Sequence, residues 1–382
     1  MEFTVNKNAF ASVLGNVSHA IRSKAVLPIL TFVAIRTDDD RLVLEGTDLE
    51  IVIRDSVPAN ITQPGATCVP ARILSLVVSE LDGDEIQMRY QNGHLHVLAR
   101  NSKFSINTLP HDEYPMLPVP EPDAQIYSIA SQHLAQMINF VVHSIAPPNE
   151  TRSILTGAQL RITSDGVAMN GTDGRRMAMS FHGHSGDVEI AEPSINVAPK
   201  SALVEVARMC GLDSGHVSLF FDSRYNVWFQ FGTMTIIPRT LQDGKFPDID
   251  GIARNLSHDK TMCISREPFL AALRAWRMMA CERDSPNLVR LSLSQHELLV
   301  RANTPDVGDA EISIACRLSG EPMDIAFNWR YLSDALASFD SEEVTLLLRD
   351  PMSMIQISGG DDREKAIIMP VRVKDIASQV VQ

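Results

Sequence analysis

The sequence predicts an α+β protein built from three like units, each a pair of helices backed by antiparallel strands. Three observations carry that expectation. One order of motifs occurs twice at a near-constant offset and a third time more faintly. Helical and alternating apolar patterns follow one another in the same order within each unit. The chain's 382 residues also exceed a single core, since domains commonly hold about 100–150 residues.

The clearest repeat is "EGTDLEIVI" at 45–53 against "NGTDGRRMAM" at 170–179. Gly46-Thr47-Asp48 and Gly171-Thr172-Asp173 stand 125 residues apart, as do Ile29 and Ile154 in the preceding apolar stretches. Downstream, "CVPARILSLVVSEL" (68–81) matches "NVAPKSALVEVARM" (196–209), and "FSINTLPHDEYPML" (104–117) matches "MTIIPRTLQDGKFPDI" (234–249). The third copy shows in "AFNWRYLSDALASFDSEEVTLLL" (326–348) and in the closing strand "KAIIMPVRV" (365–373). Fixed-period self-similarity of this kind marks a repeat architecture. The units are 1–120, 126–250 and 256–382, the last carrying a short extension at 374–382. "VPEPDA" (119–124) and "DGIARNLSHD" (250–259) read as linkers.

Within each unit a helical period opens the pattern, at 7–20, 131–144 and 266–281, and a second helix follows at 71–81, 200–210 and 329–339. "EIQMRY", "HLHVLA" and "VWFQFG" alternate as strands do. Asp48 and Asp173 sit in the repeated turn and are expected to cap it, because Asp side chains satisfy local backbone donors. "HGH" at 182–184 lacks a third ligand at metal spacing and reads as a surface loop. No phosphate-loop or Ser/His/Asp signature occurs, so no metal, cofactor or catalytic residue is expected.

Hydrophobic content of 45% and charged content of 21% are ordinary for a soluble globular chain. No apolar run approaches the roughly 20 residues of a membrane span, and "MEFTVNKNAF" lacks a signal peptide's apolar stretch, so a cytoplasmic protein is expected. Five scattered cysteines are expected to be reduced. The net charge of −13 argues against a polyanion ligand until its distribution is considered. Six candidate helices (6–24, 70–81, 131–145, 199–211, 265–283 and 328–339) hold eleven basic and five acidic residues, a net of +6, and the remainder nets −19. Helices lining a channel for nucleic-acid backbone would produce that segregation, and so would chance.

"LPIL" (27–30), "GTDLE" (46–50), "VPAR" (69–72), "TLP" and "YP" within 104–115, "DGRR" (173–176), "DGKFPD" (243–248) and "IIMPVRV" (367–373) occur in one order along the chain. That order closely resembles the bacterial DNA polymerase III beta subunit, the sliding clamp family, from residue 1 to about 373. The resemblance implies two subunits of three domains closing head to tail into a ring, with helices around the hole and sheets outside. It implies no enzyme. It implies a processivity factor that encircles duplex DNA without sequence preference, tethers replicative and repair DNA polymerases, and is opened by an ATP-driven clamp loader. A divergent or duplicate clamp with a repair or inhibitor-resistance role is the alternative within the family. An enzyme binding a phosphorylated ligand near Arg175 and Arg176 is the alternative outside it.

The resemblance also assigns sites. A partner peptide, glutamine first and leucine-phenylalanine last, would dock in a groove whose deeper subsite maps to Arg152, Leu155, Thr172, Gly174, Arg175, Arg176, Met177, Pro247 and Ile252. A second subsite maps to Asn328, Tyr331, Met352, Met354, Ile368, Met369, Pro370, Val371 and Arg372. Methionine suits such a surface because its thioether adapts to differently shaped partners. DNA-facing positions are Lys24, Arg72, Lys103, Asn149 and Lys200. Val78, Leu81, Phe104 and Ile106 would meet Met278 and Met279 of a second subunit. This chain departs from the family at Arg175, where histidine is commoner, at Ser153 and Ile154, at Pro351 beside Met352, and in the tail beyond Val373.

Overall fold

Every paired strand in the computed structural model runs antiparallel to its neighbour, and two twelve-stranded sheets organise the chain. The structure describes residues 1–100, 102–119, 126–184, 194–212, 215–222, 226–279, 288–304 and 308–372. The chain packs as two compact units, Met1–Ala135 with Ser201–Thr240, and Gln136–Lys200 with Leu241–Gln382.

In the first unit the sheet begins at the edge strand Ser102–Asn107. It then runs through His94–Ala99, Glu85–Gln91, Glu2–Asn6, Ile51–Gln63, Met234–Pro238, Val227–Phe231 and His216–Phe221 to Ile126–Ala130. Phe32–Asp38, Arg41–Thr47 and Ala66–Pro70 branch from Ile51–Gln63. In the second unit the order is Ser194–Pro199, Gly157–Thr163, Gly166–Thr172, Arg176–Gly183, Glu364–Ile368, Ile355–Ser358, Glu343–Leu348 and Lys260–Ser265. Gly308–Ser319, Glu297–Thr304, Leu288–Leu293 and Met323–Asn328 complete it.

The sheets therefore do not stop at the repeat boundaries. Ile51–Gln63 pairs with Met234–Pro238, Ile51 standing opposite Pro238 and Arg54 opposite Thr235. Arg176–Gly183 pairs with Glu364–Ile368, Arg176 opposite Ile368 and Met179 opposite Lys365. Residues 51–54 and 176–179 are repeat equivalents, so one joint is made twice in one register.

Seven α-helices occur among the described residues: α1 (Lys7–Ser18), α2 (Ala71–Glu80), α3 (Ser131–Val141), α4 (Lys200–Leu212), α5 (Ile249–Arg254), α6 (Arg266–Met279) and α7 (Trp329–Ser338). α1 starts where the Asn6 side chain accepts from the Ala9 amide at 3.0 Å, an ordinary N-cap. It buries Phe10, Val13, Leu14 and Val17, the i, i+3, i+4, i+7 stripe of an amphipathic helix. The helical pattern read over 6–24 stops at Ser18. Pro28 restricts Leu27 to an extended conformation, and Arg22 is drawn to Asp48 and Glu50 at 2.8 and 3.2 Å. The linker read at 250–259 contains most of α5, which the Asp248 side chain caps through the Gly251 amide. With the observed bounds, the six long helices carry eight basic and four acidic residues, so the cationic excess narrows but stays on the helices.

The repeated Gly-Thr-Asp turn has one structure in both copies. The Thr47 and Thr172 hydroxyls donate to the Ile51 and Arg176 carbonyls at 2.8 and 2.7 Å. The Asp48 carboxylate accepts from the Glu50 and Ile51 amides, and that of Asp173 from the Arg175 and Arg176 amides. A Cβ on Gly46 would stand 2.7 Å from the Val17 carbonyl at the end of α1, and one on Gly171 would stand 2.9 Å from the Val141 carbonyl at the end of α3. Glycine is needed there because the strand passes against the last turn of a helix.

Candidate functional site

The residues assigned to the peptide groove all belong to the second unit. Leu155, in a 3-10 turn after Arg152, packs with Ile154, Met177, Phe246, Ile249 and Ile367 into one apolar cluster. Leu241, Ile252 and Met354 lie partly buried against it. Sheet register explains the grouping, since Met177 stands opposite Ile367 and Ile367 opposite Gln356, and directly opposed residues share a face. Sequence alignment missed Phe246, Ile249 and Ile367, whose participation depends on that register and on the fold of the 241–256 segment. Met354, placed in the second subsite from the sequence, belongs to this first cluster.

In the same unit Met352, Met369 and Val371 are exposed apolar side chains. The Met369 amide donates to the Arg175 carbonyl at 3.0 Å, and the Val371 amide to the Ala326 carbonyl at 2.8 Å. These bonds fix the segment after the closing strand between Arg175 and the strand that leads into α7. Ile368 is fully buried and stands in the Arg176–Ile355 row, on the other sheet face from Met177. It is a core residue, as is Ile367 on the opposite face. The Asn328 side chain caps α7 by accepting from the Arg330 amide at 3.0 Å, and Pro247 is half-buried beside α5.

Gly174 has φ +85, a left-handed conformation that favours glycine, and the Arg152 guanidinium lies beside it. The exposed Arg152 pairs with Glu150 at 3.3 Å. Arg176 behaves differently. Its Nε lies 3.0 Å from Asp173 and its Nη1 2.7 Å from Asp334 on α7, with the guanidinium 4.4 Å above the Tyr331 ring. Arg175 is exposed and has no ion-pair partner among the described residues.

Two titratable groups lie close to this arrangement. The His143 ring, edge-on to Phe140 and within 3.5 Å of the Ser338 hydroxyl, has its pKa lowered to about 3, first by burial and then by the Arg176 and Lys200 charges. Lys200, half-buried at the start of α4, is lowered by burial and by Arg176, against the pull of Asp334.

The other assigned positions separate. Arg72 and Asn149 are exposed. Lys24 is exposed but lies in the loop after α1 and not on a helix. Lys103 stands in the row Thr4, Gln87, Leu98, whereas the neighbouring row Phe3, Met88, Val97 is buried on the helix side. Lys103 thus lies on the sheet face opposite that buried row. Val78, Leu81 and Ile106 are 1%, 2% and 5% exposed in the first unit's own core, so they cannot reach a second subunit. Phe104, on the same edge strand, is exposed, as are Ile73 and Leu76 on α2. Met278 and Met279 form the last turn of α6; their side chains, like Cys281 and the tail 374–382, lie outside the described residues.

Among the described residues no three His, Cys, Asp or Glu side chains are grouped to hold a metal, and no helix is long and apolar enough to cross a membrane. Cys68, Cys263 and Cys316 are free thiols.

An antiparallel α+β repeat protein, with a joint between repeats made twice and exposed apolar side chains beside one copy of the turn, is the architecture of the replication clamps. The chain belongs to the DNA polymerase III beta-subunit family: the family's N-terminal, central and C-terminal domain models match residues 1–118, 128–248 and 256–372. It is a family of processivity factors and not of enzymes. The chain is 28% identical over 378 residues to the beta sliding clamp of Pseudomonas aeruginosa, covering 98% of this chain and 100% of that one. Against the beta sliding clamp of Synechococcus elongatus it is 26% identical over 382 residues, with 98% and 100% covered. The crystal structure of the Pseudomonas aeruginosa DNA polymerase III subunit beta superposes with a TM-score of 0.90 at 27% identity, over 97% of this chain and 100% of that one. The DNA polymerase sliding clamp of Bacillus subtilis does so with a TM-score of 0.90 at 25% identity, over 98% and 100%.

Proposed function

We propose that this chain is a replication sliding clamp that closes head to tail with a second copy around duplex DNA and docks polymerases through the apolar patch beside Arg175. A clamp loader opens the ring, and the basic helices face the DNA backbone without reading sequence. One observation carries the ring reading. The joint between repeats is made twice in identical register. Among the described residues, Ser102–Asn107, the counterpart of Met234–Pro238 and Glu364–Ile368, pairs on one side only. Residues 308–315, the counterpart of the stretch beginning at Ile51 and Arg176, pair with Glu297–Thr304 on one flank, and only residues 316–319 pair on the other. Two such edges are each a template for a strand of another chain, and joining them repeats the internal joint a third time.

Side chains support the same closure. A groove of about 420 Å³ runs between α6 and residues 312–315, lined by Pro268, Ala271, Ala272 and Ala275. Its small residues match the exposed Ile73, Leu76 and Phe104 that flank the edge strand of the first unit.

The test is retention on DNA. Loaded onto a nicked circle, the protein should remain bound and should leave once the circle is cut. Equal retention on both forms overturns the ring.

A further inference from the structure

We propose that the sheet face beneath α5 carries a carboxylate-accepting subsite beside the apolar patch. It takes an aspartate or glutamate that flanks the apolar anchor of a docked partner segment. This rests on the docking reading above.

The register shows how the face changes character. The row Met177, Ile367, Gln356 is buried, and its first two members belong to the apolar cluster around Leu155. One row further, Met179 stands opposite Lys365, and two residues beyond Met179 the row of Phe181 and Ala168 continues to Arg161. α5 lies over these rows, and between them is a cavity of about 410 Å³ that also receives Asp250 and Arg254. Met179 and Ala253 line the cavity and also pack against the apolar patch, so one wall serves both. A segment anchored on the patch has its neighbouring residue at the cavity.

Charge decides what that residue is. The two acids of the cavity are engaged: Asp248 caps α5 through the Gly251 amide, and Asp250 pairs with Arg161. The cations are not saturated. Arg161 Nε is buried with no hydrogen-bond partner, and Arg254 has no ion-pair partner among the described residues. Among the described residues Lys365 pairs only with Asp362, which is 95% exposed and holds it weakly. A carboxylate entering the cavity meets three cations, one with a buried donor left over, and charge-assisted bonds of that kind are the stronger ones.

Fluorescence anisotropy on the full-length protein tests this. Three labelled peptides share one glutamine-to-leucine-phenylalanine core: one with neutral flanks, one with two glutamates before the core, one with two after it. One glutamate peptide is expected to bind about fivefold tighter than the neutral one, the size of one good ion pair. The gain should shrink at 0.5 M salt. It should also vanish in the Arg254→Ala/Lys365→Ala protein, with the neutral peptide's affinity unchanged. Equal affinity of all three peptides for the unsubstituted protein, or a gain that survives the double substitution, overturns the subsite and leaves the docking reading standing. If the neutral peptide does not bind, the docking reading falls and the subsite with it.

Discussion

Arg176 Nη1 lies 2.7 Å from Asp334 Oδ2, joining the turn of one repeat to α7 of the next. Its Nε holds Asp173, the residue that caps the turn, at 3.0 Å, and Tyr331 lies beneath its plane at 4.4 Å. The first repeat satisfies the same aspartate from elsewhere, because Asp48 pairs with Arg22. What distinguishes the second copy of the turn is thus an internal strut, and the arginine free to meet a ligand is its neighbour Arg175.

Arg176→Ala is therefore expected to destabilise the second unit by about 2 kcal/mol, since its side chain is 12% exposed and both carboxylates lose their partner. Arg176→Lys should recover little, because an ammonium cannot serve two carboxylates and a ring in one plane. Asp334→Asn should cost less than 1 kcal/mol, as that carboxylate is 45% exposed. Urea unfolding of the three variants checks the order; equal midpoints would show that Arg176 is not structural.

Stability and binding should separate at the patch. Leu155 is 1% exposed and Met369 is 46% exposed. Leu155→Ala leaves a cavity and should cost about 2–4 kcal/mol of unfolding free energy. Met369→Ala should change stability by less than about 0.5 kcal/mol and weaken a docked peptide about tenfold, as truncation of an anchor does. Calorimetry of unfolding and peptide titration on both proteins distinguish a core residue from a contact residue.

Two titrations of opposite sign should shape stability against pH. His143 is lowered to about 3 by burial and by Arg176 and Lys200, so its contribution is complete above about 6.5 and is lost as pH falls towards 3. At pH 5 that loss is about 2 kcal/mol. Glu364 is raised to about 7, mainly by burial and further by Asp361 and Asp340, so its contribution is complete below about 4.5 and is lost as pH rises through 7. Half-exposure reduces that loss to about 1 kcal/mol. Thermal melts should show His143→Gln flattening the acid limb and Glu364→Gln raising stability at pH 8. Parallel pH profiles for all three proteins would contradict both assignments.

The repeat, the helix order and the capping role of Asp48 and Asp173 were legible because each depends on local spacing. The C-terminal end of α1 was not, because the chain beyond Ser18 is held by Pro28 and by the long-range pairing of Arg22 with Asp48. Register decided most of the rest. Ile367 and Ile368 are indistinguishable in sequence, yet one packs in the cluster around Leu155 and the other fills the opposite face of the sheet. Val78 and Ile73 lie on one amphipathic helix, and only packing shows which of them is left for a partner.

That last pair leads to the subunit contact. Ile73, Leu76 and Phe104 are exposed around an edge strand, and the α6 groove opposite is lined by alanines. If the two surfaces meet across a head-to-tail contact, a charge on either one is desolvated without a partner, which is costly. Phe104→Asp and Ala271→Asp should each give a folded protein with unchanged far-ultraviolet circular dichroism that sediments at 42.2 kDa instead of twice that mass. Val78→Asp should instead fail to fold, since Val78 is buried in the unit's own core. Should Phe104→Asp remain dimeric at micromolar concentration, the contact lies elsewhere and the third joint is not the one proposed.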